Sequence, residues 1–262
     1  MKALLPALAA ATVLAWGCGR GRDGDVTVAG STSVQPFVEL IAEEYMREHP
    51  DVSVIVQGGG STAGVQAVRE GAATIGMVSR SLNEQEKDLK PVTIARDGIA
   101  LIVHPSNGLR GVTKEQARDM FTGQVRDFAQ VGGKAGLVRV VTREEGSGTR
   151  GAFAELIMEG ATITDEAIVQ DSNGSMREVI AHDPAAIGYI SLGLVDASVR
   201  ALSIDGVAAT RENVKSGVYP LRRPFLFVLK GEPPAIAQAF IDFTLSAKAQ
   251  QLLEEEGLIA VE

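Results

Sequence analysis

The sequence predicts an α/β fold with mostly parallel sheets. Two observations carry that prediction. From Asp25 onward, short β-branched runs alternate with amphipathic helical runs, the order that βαβ units produce. Glycine supplies 29 of the 262 residues, above its usual share of roughly 7%, as many tight strand-to-helix turns require. Apolar residues at 45% and charged residues at 22% are an ordinary globular balance, which excludes wholesale disorder and a polytopic membrane protein. The length admits one large domain or two modest ones, and composition does not choose between them.

The elements follow in order. Val26 to Ala29 is a short strand. Val34 to His49 has helical spacing, with Phe37, Leu40, Ile41 and Tyr45 on one side and Glu39, Glu43, Glu44 and Arg47 on the other. Val52 to Val56 is nearly all β-branched and reads as a strand, and Thr62 to Glu70 as a short helix. Ile75 to Val78 is a strand, and Ile99 to His104 is a buried one closed by Pro105. Thr113 to Phe121 is a helix with Thr113 as its N-cap. Val138 to Thr142 is a strand, and Arg150 to Glu159 a helix with Phe153, Leu156 and Ile157 inward. Ile187 to Ile190 and Pro224 to Leu229 are strands, and Pro234 to Glu256 is a closing helix pair.

The first residues read as a targeting signal. Lys2 is a thin positive start, and Ala3 to Cys18 carries no charge. That run is shorter than the ~20 residues a helix needs to cross a bilayer, and its length suits a secretory signal. It ends in Leu14-Ala15-Trp16-Gly17-Cys18, which resembles a lipoprotein cleavage site, with residues 1–17 removed and lipid on Cys18. Residues 18–25 then form a short tether of small and charged residues. The expectation is an exported protein, in the periplasm or on the outer face of the cell membrane, held there by its lipid.

Charge and cysteine count exclude more. Lys and Arg number 25 and Asp and Glu 33, a net charge of −8, against nucleic-acid binding. One cysteine excludes an intrachain disulfide and any zinc site built on several thiolates. His49, His104 and His182 are the only histidines, none lies in a candidate loop, and no H-E-x-x-H spacing exists. No metal and no cofactor is expected.

One pattern occurs three times: a strand, a loop rich in Gly and Ser or Thr, then a helix. The loops are Gly30-Ser31-Thr32-Ser33-Val34, Gly58-Gly59-Gly60-Ser61-Thr62-Ala63-Gly64, and Arg143-Glu144-Glu145-Gly146-Ser147-Gly148-Thr149. Glycine lets the backbone approach a ligand, hydroxyls donate, and the first helical amides and helix dipole favour an anion. Three such loops can surround a tetrahedral oxyanion, and Arg143 adds a fork of donors matched to two of its oxygens. Each loop alone is the usual pattern of an ordinary N-cap. No Walker A pattern is present, and Gly59-Gly60-Ser61-Thr62-Ala63 is an incomplete nucleophile elbow.

Taken together, these loops resemble the phosphate-binding proteins of ABC phosphate transporters, in their short form. The resemblance also rests on Ser33-Val34-Gln35-Pro36-Phe37, Ile75-Gly76-Met77-Val78-Ser79-Arg80, Ser172-Asn173-Gly174 and Ile187-Gly188-Tyr189-Ile190, and runs from Val26 to the C-terminus. It implies a two-lobed type II periplasmic-binding-protein fold with the anion in the interlobe cleft. The chain would cross near Pro105 and return near Leu192, giving one lobe from residues 26–104 with 193–262 and another from 105–192. It implies phosphate ligands at Thr32, Ser33, Ser61, Arg143, Ser147, Gly148 and Thr149, with Ser31 and Ser79 as neighbours.

Some relatives carry an Asp after the serine of the second block to accept the proton of hydrogen phosphate. Here that residue is Arg80, which either pairs with an acid at the cleft edge or binds the ligand. Glu145 is the carboxylate expected to accept the proton or to orient Arg143. The function implied is a non-enzymatic receptor that hands phosphate to an ABC permease. The alternatives are a receptor for sulfate, molybdate or tungstate, an exported hydrolase, and a lipoprotein adhesin or signalling module.

Overall fold

The computed structural model describes residues 25–261, so the expected export signal, Cys18 and the expected tether up to residue 24 lie outside the described residues, while Asp25, expected in that tether, opens the first strand. Strand β1 (Asp25–Gly30) is followed by α1 (Gln35–Glu48), β2 (Ser53–Gly58), α2 (Ser61–Glu70), β3 (Ile75–Val78) and the long β4 (Lys90–Val103). Then come β5 (Gly111–Val112), α3 (Lys114–Phe121), β6 (Arg139–Arg143), α4 (Gly148–Phe153), β7 (Ile168–Gln170), α5 (Asn173–His182) and β8 (Ala186–Ser191). β9 (Arg200–Ala201), β10 (Ser203–Ile204), α6 (Arg211–Lys215), β11 (Arg222–Leu229), α7 (Ala235–Thr244) and α8 (Ala247–Glu255) complete the described chain.

The expected elements form, with ends shifted by one or two residues in most cases. Thr113 caps α3, its Oγ1 accepting from the Gln116 amide at 3.0 Å. The helix expected at Arg150 starts earlier, at Gly148, and widens into a π-helical turn over Ala154–Met158. Leu40 and Leu156, both expected inward, are half-buried rather than buried.

The main sheet has the strand order β2-β1-β3-β11-β4-β8-β6-β7, with β9 also paired to β4. β1 runs parallel to β2 and β3, and β6 runs parallel to β7 and β8. Residues alternate between the two faces of this sheet, as the two-residue period of a strand requires. In the first half, Val26, Val28, Ile75, Met77, Phe225 and Phe227 pack on α1, α7 and α8, while Val78, Leu226 and Val228 pack with Val65 and Val68 of α2. In the second half, Ile99, Leu101 and Tyr189 face one core, and Ala100, Ile102 and Ile190 face the other. A sheet covered on both faces explains why these strands read as continuous apolar runs.

Two lobes meet along β4. Its residues Lys90 to Gly98 pair with β11, and Ile99 to Val103 pair with β8. The partner changes between Gly98 and Ile99, whereas the sequence reading sets the crossing near Pro105. Residues 199–221 also differ from the expected return near Leu192. Val199, Leu202, Ile204, Val214, Tyr219 and Leu221 pack into the cores of the second lobe, and Tyr219 Oη donates to Ile99 O at 2.9 Å. Leu194 does touch the core of the first lobe, but the chain turns back and leaves the second lobe only at Leu221 and Arg222.

Candidate functional site

The loops leave the C-terminal ends of β1, β2, β3, β6 and β7, where ligands bind in open α/β sheets. Beyond β1, the Ser31 amide donates to Met77 O at 2.9 Å, which fastens loop one to the end of β3. Ser31 Oγ donates to Ser79 Oγ at 2.8 Å and accepts from the Ser33 amide at 3.2 Å. Ser61 opens α2 and is fully buried, its Oγ accepting from the Ser79 amide at 3.1 Å. Gly60 before it has φ +92°, a conformation that favours glycine.

The third loop belongs to the other lobe and lies directly against these serines. A Cβ added at Gly148 would stand 2.1 Å from Ser61 Oγ and 2.6 Å from Ser79 Oγ, so only glycine permits this approach. Ser147 Oγ accepts from the Arg150 amide at 3.2 Å and caps α4. Thr149 Oγ1 lies 2.7 Å from Ser33 Oγ, and the Thr62 amide donates to Gly146 O at 3.1 Å. Loops one, two and three therefore touch across the cleft.

Arg143 ends β6 and is 1% exposed. Burying a guanidinium is costly unless its charge and donors are met. Nε and Nη2 donate to Glu144 Oε2 and Oε1, both at 2.9 Å. Further bonds run from Nε to Gln170 O at 3.2 Å, and from Nη2 to Asp171 O at 2.9 Å and Thr32 Oγ1 at 3.3 Å. Nη1 is buried and has no hydrogen-bond partner among the described residues. This fork is held by its neighbours with one nitrogen left to donate, which is what recognition of an oxyanion requires.

The structure thus brings together Ser31, Thr32, Ser33, Ser61, Ser79, Arg143, Ser147, Gly148 and Thr149. Two expected candidates are elsewhere. Arg80 donates from Nη1 and Nη2 to the Glu86 carboxylate at 2.7 and 2.8 Å. Burial works to raise the Glu86 carboxyl, and Arg80 with the Asn83 amide draws it below its ordinary value. Glu145 is exposed, and the carboxylate that orients Arg143 is its neighbour Glu144. The turn after β6 sends consecutive side chains in different directions, so the two glutamates take unlike places.

Besides Glu144, three members of the cluster are absent from the sequence-derived set of candidates. Asn173, at the start of α5, donates from Nδ2 to Ser33 Oγ at 2.9 Å and to Thr32 Oγ1 at 3.4 Å. The Ser191 amide donates to Asn173 Oδ1 at 3.2 Å, which fixes the orientation of that carboxamide. Arg223 and Asp97 form a buried ion pair at 2.8 Å, and Arg223 Nη1 also reaches Thr149 Oγ1 at 2.8 Å. The signal for Asn173 was a fourth strand-loop-helix junction, Asp171-Ser172-Asn173-Gly174. No sequence signal marked the pair, since Asp97 follows Arg96 and Arg223 follows Arg222, and neither charge stands out in its strand. Among the described residues, no group of three His, Cys, Asp or Glu side chains is arranged to hold a metal.

The PBP superfamily domain matches residues 19–248 of this chain. The phosphate-binding protein PstS of Bacillus subtilis is 36% identical over 91% of this chain and 81% of its own length. Among solved structures, a phosphate ABC transporter substrate-binding protein with bound phosphate from Clostridium perfringens is 42% identical. It superposes with a TM-score of 0.88, covering 91% of this chain and 100% of that one. An ABC-type phosphate transport receptor from Vibrio cholerae is 37% identical with a TM-score of 0.77, covering 90% of this chain and 100% of its own.

Proposed function

We propose a function from one premise: the chain belongs to the PBP superfamily and, within it, to the PstS phosphate-binding proteins. It captures inorganic phosphate outside the cytoplasm and hands it to an ABC permease, binding and releasing without chemistry on the ligand. The observation that carries this reading is Arg143, buried with Nη1 unpartnered beside hydroxyls drawn from both lobes. Thr32, Ser33, Ser61, Arg143, Ser147, Gly148 and Thr149 form the ligand set, with Ser31 and Ser79 backing them. The lobes are residues 25–98 with 222–261, and residues 99–221. They hinge where β4 changes partner and where β11 begins. Lipid on Cys18 keeps the receptor at the membrane surface.

Phosphate keeps a proton near neutral pH and sulfate has none. A site with an acceptor gains a bond from phosphate and repels sulfate, a polar mismatch that can reach 10⁴–10⁵ in selectivity. Glu144, not Glu145, is the carboxylate that touches Arg143. Calorimetric titration of phosphate-free protein with phosphate, sulfate, molybdate and tungstate tests the assignment. Phosphate is expected to bind at least about tenfold more tightly than sulfate, a floor well below that ceiling. Equal affinities would replace phosphate with the wider oxyanion class.

A further inference from the structure

Arg223 is a second buried guanidinium at this cleft, and it comes from none of the loops. It lies on β11 opposite Asp97 of β4 in the antiparallel register, where the strands joining the lobes run side by side. Both side chains are 1% exposed. Nε and Nη2 donate to Asp97 Oδ2 at 2.9 and 2.8 Å. Nη1 donates to Thr149 Oγ1 at 2.8 Å in one lobe and to Ser79 O at 3.3 Å in the other. One nitrogen therefore ties the hinge strands to a loop of each lobe.

A guanidinium has donors only, so Thr149 Oγ1 accepts from it. Thr149 Oγ1 and Ser33 Oγ are 2.7 Å apart, and either hydroxyl can donate to the other. Ser33 Oγ also accepts from Asn173 Nδ2, because Asn173 Oδ1 is held by the Ser191 amide. One hydroxyl proton closes the contact between Thr149 and Ser33, and the other points out of this network. The pair also has an electrical sense. Asp97 lies behind Arg223 and the cluster of hydroxyls in front, so the positive end of the pair is turned to the site. The charged groups that bear on Arg223 are Asp97 and Arg143.

We propose that Arg223, held by Asp97, leaves one hydroxyl proton of the Thr149 and Ser33 pair free to donate and adds a second positive charge behind the anion site, favouring the divalent form of the ligand. Both are positioning residues that act through Thr149. The proposal rests on the phosphate reading above. A doubly charged anion gains more from a nearby cation than a singly charged one, so removing the cation costs the divalent form more.

The test is calorimetric titration with inorganic phosphate on the acid and alkaline sides of neutrality. The double variant Asp97→Asn, Arg223→Gln removes both charges together, so neither remains buried without its partner. It is expected to lose about tenfold or more in affinity on the alkaline side and about threefold or less on the acid side, flattening the parent's pH profile. A folded double variant within about twofold of the parent on both sides overturns the proposal, as does an equal loss on both, which marks a purely structural role. Should the double variant not fold, Arg223→Lys keeps the charge opposite Asp97 but lacks the fork that points both ways. It is expected to lose about threefold or more, and unchanged affinity overturns the proposal. A parent protein that binds no phosphate refutes the phosphate reading itself, before any variant is compared.

Discussion

Replacing Arg143 with alanine should nearly abolish phosphate binding, and the geometry sets the scale. Three of the five N–H groups of this side chain, on Nε and Nη2, are committed to Glu144, Thr32, Gln170 and Asp171. The two on Nη1 have no partner among the described residues and are the ones available to an anion. A hydrogen bond to a charged group contributes ~1.5–3 kcal/mol, so two are worth about 3–6 kcal/mol. At about 1.4 kcal/mol per decade, the loss is on the order of 10²–10⁴ in affinity. The same change leaves Glu144 beside the ligand without its counter-charge, so Arg143→Ala with Glu144→Gln should recover part of the loss. Ser61→Ala is the comparison. A neutral hydroxyl contributes ~0.5–1.5 kcal/mol, which predicts a drop of roughly two- to twelvefold. Calorimetry on phosphate-free protein reads all three, with melting curves to check the fold. A loss below about tenfold for Arg143→Ala, or one no larger than that of Ser61→Ala, would show that Nη1 does not hold the ligand.

Gly148→Ala should weaken binding more than it weakens the fold, because the clash with Ser61 and Ser79 arises only when the lobes are together. Overpacking of ~1–3 kcal/mol predicts a loss of about fivefold to a hundredfold by calorimetry, with the melting temperature changed little. Arg80→Gln should leave phosphate affinity unaltered, since its guanidinium is spent on Glu86, but should lower stability at neutral pH. The Glu86 carboxyl lies below its ordinary value, so its contribution is present above the unfolded carboxylate range and is lost as pH falls through the folded value. Denaturant titrations of parent and variant should therefore converge in acid, and a constant difference across pH would remove this ion pair from the account. Cys18→Ser should shift the protein from the membrane fraction or leave the precursor unprocessed, and fractionation identical to the parent would refute the lipid anchor.

Local patterns in the sequence determined much of this molecule. Ile75 to Val78 forms the strand expected there, and Thr113 caps the helix it precedes. The three Gly-Ser loops meet because each follows a strand and opens a helix, and such ends collect on one edge of an α/β sheet. Short-range chemistry decides all of these, so neighbouring residues suffice to read them. Tertiary structure decided the rest. Lys90 to Gly98 becomes strand only because β11 pairs with it, since its charged and polar residues hide the pattern. The short strand Ile168–Gln170 was missed because its residues are largely exposed at the sheet edge. Glu144 and Glu145 are equivalent by sequence, and only the turn after β6 sends one to Arg143 and the other to solvent. Asp97 and Arg223 lie far apart in the chain and become partners through strand register alone. Register and burial are properties of the assembled sheet, and they turn two charges distant in the chain into one buried pair behind the cleft.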